Sequence, residues 1–310
     1  MQGQFAIHNP DTLVPGALNS LRVLDLTRVW AGPLGTRALA DFGADVIKIS
    51  DPRTLLDSSA RVNNKLNRNK RNIGVRLDKE EGREIFLRLV TISDIVVENY
   101  RPRVMRNLNL SYHNLRDANP TVIMCSMPGF GLDGPYSEYP AFGSTAEAIS
   151  GVVSLIGYDP DRPLQTGLSY ADPISGLNAV WTIMGYARRR AKAGMGCYLD
   201  LALSESPLGT LGEHFVSSSA GNQHVKIDGN RHPVYCPHGA FRTLGDDIWV
   251  TIAVTSNEEW SSLKAVLSEK TLENPCYEYA EGRKSSENVL NRIISQWAGE
   301  READEIVALL

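Results

Sequence analysis

Leu21-Arg-Val-Leu-Asp-Leu26 and Asp45-Val-Ile-Lys-Ile-Ser50 are two short apolar runs that read as strands. Between them Gly32-Pro33 makes a turn, Pro33 suits the first position of a helix, and Gly43 suits its exit, bracketing Leu34 to Phe42. Strand, helix and strand between Leu21 and Ser50 form a β-α-β unit, which predicts a parallel sheet.

Outward from that unit the alternation continues. Asn72 to Leu77 is strand-like, and Asp78 with Glu81 reads as a capping box before an apolar stripe of Ile85, Phe86, Leu89 and Val90. Asp94 to Val97 and Thr121 to Ser126 are further strands, so the first half of the chain is an open α/β fold. From Asp172 a long helix runs to about Lys192, and Arg188-Arg189-Arg190 before Gly194 are most simply cations at its C-terminus. Ser217 to Asn230 reads as a linker. Strands follow near His238–Arg242 and Ile248–Ala253, then helices at Glu258–Leu267 (Trp260, Leu263, Leu267) and Glu287–Trp297. This gives a large domain over 1–222 and a smaller α+β domain over 223–310. Glu300 to Leu310 has the stripe of an amphipathic helix, Ile306, Leu309 and Leu310, and stops without a cap. The expectation is a chain cut short of its natural end.

The composition bounds the function. Of 310 residues 42% are hydrophobic and 22% charged, as in soluble globular proteins with sizeable cores. A net charge of −4 gives no global basic field for nucleic acid, so any anionic ligand needs local Arg and Lys clusters. No apolar run approaches the roughly 18 residues that span a bilayer, and Met1 to Gly16 lacks a signal-peptide pattern. Cys125, Cys197, Cys236 and Cys276 are scattered, so reduced thiols in a cytoplasmic protein are expected. Neither Cys nor His spacing carries a metal signature, and no metal is expected.

Gly129-Phe-Gly-Leu-Asp-Gly134 spells G-x-G-x-x-G after a strand, but Pro135 and Pro140 keep a helix from starting within it. A dinucleotide needs that helix, so a flexible loop beside a site is the reading, its glycines letting backbone approach a ligand. Arg61, Lys65, Arg68, Lys70 and Arg71 read as a solvated basic loop. With Arg101, Arg103 and Arg106 they also make two basic clusters at strand-to-helix junctions, which suit a phosphate-bearing cofactor. No P-loop or G-x-S-x-G elbow is present, and His232 and His238 are isolated. Asp172-Pro173 reads as an N-cap and N1 pair at the mouth of the long helix. The same position stabilises an ionised carboxylate, which nucleophilic attack on an acyl group requires.

Val29-Trp-Ala-Gly-Pro33, Ala40-Asp-Phe-Gly-Ala-Asp-Val-Ile-Lys48, Asn69-Lys-Arg71 and Val97-Glu-Asn-Tyr-Arg-Pro102 follow one another in order. So do Gly129-Phe-Gly-Leu-Asp-Gly-Pro135, Ala171-Asp172, Gly194-Met-Gly196 and Gly229-Asn-Arg-His-Pro233. Together, over essentially the whole chain, they resemble the class III CoA-transferases, the family of formyl-CoA and carnitine CoA-transferases. The resemblance implies a Rossmann-like large domain, a smaller domain, a final stretch returning to the large one, and two chains interlocked as a homodimer. Members usually continue well past Leu310.

By the same resemblance Asp172 is the catalytic aspartate, attacking an acyl-CoA thioester and passing through an anhydride to an aspartyl-CoA thioester. An incoming carboxylate then reverses the steps, and N–H groups of Gly129–Gly134 would stabilise the oxyanions. Coenzyme A contacts carry over onto Trp30, Ala31, Val75, Asn99 and Tyr100, with Arg28 and Phe142 close by. A position that is often basic is Asp51 here, so Arg53 is expected to stand in. The arginines at Arg101-Pro-Arg103 and Arg106-Asn107 are displaced by a residue, and Arg103 and Arg106 are expected at the cofactor. Related α-methylacyl-CoA racemases would place a catalytic His at Phe142 and an Asp at Gly143. Trp30 and Cys236-Pro-His238-Gly resemble a branch using bulkier acids. The alternatives are an acyl-CoA racemase or isomerase, and a CoA-binding chain without turnover.

Overall fold

The structure, a computed structural model, describes residues 16–54, 61–159, 161–221 and 227–310. The chain divides into two compact units, the first of residues up to 154 with 165–221, the second of 155–159, 161–164 and 227–310. The 222/223 boundary read from the sequence lies outside the described residues.

In the first unit the elements run β1 (Arg22–Asp25), α1 (Ala31–Asp41), β2 (Asp45–Ser50), α2 (Arg61–Asn67), β3 (Arg71–Gly74), α3 (Glu80–Thr91) and β4 (Ile95–Glu98). They continue with α4 (Pro102–Asn107), α5 (Tyr112–Ala118), β5 (Ile123–Ser126), α6 (Gly143–Ser150), α7 (Ala171–Ala193), β6 (Cys197–Asp200) and α8 (Gly212–Ser219). The sheet is parallel throughout, in the order β3-β2-β1-β4-β5-β6. That is the doubly wound Rossmann order.

The inner strands are buried on both faces, as a parallel sheet covered by helices requires. Val23, Ile95, Val97, Ile123 and Cys125 pack with α1 and α7 on one side. Leu24, Val96 and Met124 pack with Phe86, Val90, Leu110 and Leu115 on the other. β3 is an exposed edge strand.

Several local readings are corrected. α1 opens at Ala31, two residues before Pro33, which sits inside the first turn where its missing N–H has no partner to lose. Asp78 does not cap α3: it pairs with Arg76 at 2.6 Å, and Lys79 holds the cap position with no side-chain bond. The basic run is not a solvated loop, because 61–67 is helical, Arg71 heads β3, and the Lys70 side chain is buried. Arg190 does more than meet a helix end, pairing with Asp94 at 2.6 Å and donating to the Thr121 carbonyl. α8 runs into the stretch read as a linker. β6 went unread, since Cys-Tyr-Leu-Asp offers a strand period only one buried side chain, Leu199.

The second unit holds the antiparallel pair β7 (His238–Arg242) and β8 (Trp249–Ala253), then α9 (Asn257–Leu267), α10 (Ala280–Ser285), α11 (Glu287–Gly299) and α12 (Ala303–Leu309). Phe241, Ile252, Trp260, Leu290 and Ile294 form its core. A capping box of Ser256 and Glu259 starts α9. Of the terminal stripe only Ile306 is buried; Leu309 and Leu310 are exposed.

Candidate active site

β1 and β4 are neighbours in the sheet, and the chain leaves them toward opposite edges. The crevice beyond their C-terminal ends is where open α/β sheets take ligands. Asn99, just past β4, clips the segment after β1: its Oδ1 accepts the Arg28 N–H at 2.7 Å, and its amide donates to the Arg28 carbonyl at 2.8 Å. The Arg28 guanidinium lies 5.8 Å from the centre of the Tyr100 ring. Glu98 accepts the Tyr100 N–H at 2.7 Å, and burial pushes its carboxyl up to about 7.

Two cavities open here. One of 330 Å³ is lined by Arg28, Asp51, Arg53, Val75 and Tyr100 among others. The second, of 310 Å³, is lined by Arg28, Ala31, Asn99, Tyr100, Phe142 and Asp172 among others. Arg28, Tyr100 and Val104 are common to both walls.

The segment from Thr27 to Pro33 is fixed from beneath by a buried charge cluster. Asp25 is fully buried and accepts from the Thr27 N–H at 2.8 Å, the Thr36 hydroxyl at 2.8 Å and the Lys70 ammonium at 2.9 Å. Lys70 donates also to the Pro33 carbonyl at 3.0 Å, and Lys48 to the Thr27 carbonyl. Burial alone would raise Asp25, but Lys48, Lys70 and the Thr27 hydroxyl outweigh it and hold the carboxyl at about 2. Burial pulls the Lys70 ammonium below its ordinary value.

Asp172 sits at the far end of this frame. The cap of α7 is Tyr170, so Asp172 is the second helical residue and not the N-cap that its Pro neighbour suggested. Its Oδ1 accepts the Ala31 N–H at 3.1 Å, and the Gly143 N–H also bonds the carboxylate. Ala31 opens α1 and Gly143 opens α6, so three helix N-termini converge on one side chain. Each favours a negative charge there. Glycines make the approach possible. A Cβ on Gly176 would lie 2.7 Å from the Ala31 carbonyl, and one on Gly35 would lie 2.8 Å from the Gly176 carbonyl. Burial nevertheless pushes the Asp172 carboxyl above its ordinary value, with the charge of Glu147 adding to the rise and the two N–H groups opposing it.

The structure thus brings Arg28, Ala31, Asn99, Tyr100, Phe142 and Asp172 to one wall, and Arg28, Arg53, Val75 and Tyr100 to the other. Arg53 is no free stand-in for a basic position: Asp51 takes its Nη2 at 2.5 Å and Asp78 lies 3.7 Å away. Trp30 precedes α1, half-buried, on neither wall. Arg103 and Arg106 also line neither, because both turn to Glu138, at 3.9 and 2.5 Å. In the glycine loop Gly129 lines the Asp172 cavity, while the Leu132 N–H is committed to Asp200 at 3.0 Å. His232 and His238, isolated in sequence, have rings 5.3 Å apart in the second unit.

Sequence reading missed Gly143, Glu147 and Tyr139 as site residues, and had Arg101 only as a member of a basic cluster. A glycine at a helix start carries no signal of its own; Glu147, a lone acid in Ala146-Glu-Ala-Ile149, offered a faint one. Among the described residues no group of three His, Cys, Asp or Glu could hold a metal, and no helix is long and apolar enough to cross a membrane.

The doubly wound sheet thus carries a switch-point crevice that leads to a buried aspartate at three helix N-termini. Residues 18–310 match the profile of CoA-transferase family III, and the chain belongs to that family. It is 29% identical to succinyl-CoA:glutarate CoA-transferase of Homo sapiens, over 90% of this chain and 66% of that protein. With succinyl-CoA:mesaconate CoA-transferase of Haloarcula hispanica the identity is 32%, over 95% of this chain and 78% of the other. The chain thus spans about two thirds of the human relative's length. A CAIB/BAIF family protein from Brucella suis has a crystal structure that superposes with a TM-score of 0.86 at 29% identity, covering 95% of this chain and 81% of that one.

Proposed function

We propose that this chain moves coenzyme A from an acyl-CoA thioester to a free carboxylic acid, with Asp172 as the nucleophile. The observation that carries the reading is the Asp172 carboxylate, buried at the meeting of three helix N-termini and lining a cavity that shares Arg28 and Tyr100 with a second one. The nucleotide end of the coenzyme would take the Arg28–Arg53 cavity, and the thioester would reach Asp172.

An Asp172 oxygen attacks the thioester carbonyl carbon; the C–O bond forms, the C–S bond breaks, and CoA leaves as thiolate, giving an acyl-aspartyl anhydride. The thiolate attacks the aspartyl carbonyl carbon, and the donor acid leaves as carboxylate. An aspartyl-CoA thioester remains, and an acceptor carboxylate reverses both steps. No proton is consumed, so no acid–base partner is needed. In the second step negative charge develops on an aspartyl oxygen, where the Ala31 and Gly143 N–H groups already point. A proton-moving racemase would need an acid–base pair at 142 and 143, and Phe142 and Gly143 offer none.

The named relatives pair succinyl-CoA with glutarate or mesaconate, and Arg28 and Arg101 line the Asp172 cavity as cations for a distal carboxylate. Succinyl-CoA is therefore the donor to try first. The interlocked homodimer belongs to the same reading through the family resemblance, and a cytoplasmic location through the scattered cysteines. The test is intact-mass spectrometry after incubation with succinyl-CoA and hydroxylamine. A hydroxamate mapped to Asp172 and absent in Asp172→Ala is expected. An unmodified wild-type protein that still binds CoA refutes the nucleophile.

A further inference from the structure

Glu147 is a buried acid that the transfer steps leave unused. It lies on α6, one turn after Gly143, so the helix that offers an N–H to Asp172 also carries this carboxylate. It is 1% exposed. Oε1 accepts the Thr166 hydroxyl at 2.7 Å and the Tyr170 N–H, and Oε2 accepts the Thr166 N–H at 3.3 Å. Tyr170 is the cap residue of α7, which has no side-chain cap of its own.

The segment so held is not one that holds itself. Ser169 lies in the left-handed region at φ 47°, uncommon for a residue with a Cβ. Its carbonyl accepts the Asp172 N–H at 2.9 Å. Glu147 grips the chain on both sides of this residue.

Resting on the reading of Asp172 as nucleophile, we propose that Glu147 is a positioning residue: it ties 166–170 to α6 and faces Asp172 with its charge. The nucleophile and its Gly143 donor, on different helices, are thereby held as one unit. Glu147 does not touch the substrate cavity.

The test measures the rate of hydroxylamine-trapped adduct at Asp172 in single turnover with succinyl-CoA, across pH. Glu147→Leu removes every bond to the segment; misplacement by about 1 Å costs about 100-fold in rate, with half-saturation by succinyl-CoA little changed. Glu147→Gln keeps an acceptor oxygen for the Tyr170 N–H or the Thr166 hydroxyl and is expected to recover most of the rate. It also removes a charge that raises the Asp172 carboxyl, so its acid limb moves to lower pH. The other ionisable groups on the Asp172 cavity wall, Arg28, Tyr100, Arg101 and Tyr139, stay the same in both variants.

Should Glu147→Leu not fold, the acid limb of Glu147→Gln decides alone. A wild-type rate in a folded Glu147→Leu, or an unmoved limb in Glu147→Gln, overturns the positioning role while the wild-type adduct still stands for Asp172. No adduct in the wild type removes the nucleophile, and the positioning role with it.

Discussion

An alanine at position 143 would place its Cβ 1.9 Å from Asp172 Oδ2 and 2.7 Å from Ser169 Cβ. Recovering an ordinary contact of 3.4 Å requires a relative shift of about 1.5 Å. The nearest atom is the end of a side chain, so the carboxylate is the part that yields. It would swing away from the Gly143 and Ala31 N–H groups that orient it. A misplacement of about 1 Å at a reacting atom costs about 100-fold, or roughly 2.7 kcal/mol at the barrier. Ser169 Cβ, fixed to the backbone, cannot swing aside as the carboxylate can, so some loss of global stability should accompany the loss of rate. The assay is the single-turnover rate of trapped Asp172 adduct from succinyl-CoA, with urea unfolding and CoA affinity measured beside it. Gly143→Ala should lose about 100-fold in rate while CoA affinity holds. A wild-type rate would refute the idea that this glycine exists to seat the carboxylate.

Three further outcomes are expected. Lys70→Met leaves the buried Asp25 with one ammonium in place of two; since Lys48 stays, the loss should fall below the roughly 3–5 kcal/mol of stripping a buried charge of its partner. A loss under about 1 kcal/mol in urea unfolding, the worth of a surface pair, would contradict this. Asn99→Ala cuts both bonds to the Arg28 backbone; at about 1 kcal/mol each, half-saturation by succinyl-CoA should rise roughly tenfold or more with the saturated rate unchanged. A fall in the saturated rate alone would move Asn99 from binding to chemistry. As the proposed nucleophile Asp172 must be ionised to attack, and burial chiefly raises its carboxyl above the ordinary aspartate value. Adduct formation should therefore fail, as pH drops, at a pH above that value, and a limb at or below it would show the group to be unperturbed.

How much of this was legible beforehand can be judged element by element. Asp45–Ser50 has the bounds the sequence suggested, because Val46, Ile47 and Ile49 between Gly43 and Asp51 specify a strand locally. His238–Arg242 also keeps its bounds, with no β-branched residue of its own and its pairing to β8 to hold it. β6 did not show itself, since a four-residue edge strand takes its identity from pairing with β5, far away in sequence. The capping-box reading of Asp78 failed for a related reason: Arg76 and Arg53 compete for the carboxylate, and only folding brings Arg53 near.

The site divides the same way. The residues proposed to bear the chemistry, Asp172 at the start of a long helix and Arg28, Asn99 and Tyr100 after two strands, are written in the chain, and its ordered motifs identified the family. Which side chains meet is set by packing. Arg103 and Arg106 carry the charge expected of phosphate ligands, yet Glu138 claims both. Asp172 looked like a cap for its own helix, whereas its carboxylate accepts from the first residues of two others, reached because Gly35 and Gly176 let α1 and α7 approach closely. Sequence by itself determined the β-α-β alternation and so the parallel sheet, since periodicity and turn chemistry act between near neighbours; Asp172 was singled out as candidate nucleophile by the family resemblance. The convergence of three helix ends, the buried Asp25–Lys70 pair and the Glu147 clamp were decided by tertiary structure alone, because each joins groups that only the folded sheet brings within hydrogen-bond reach.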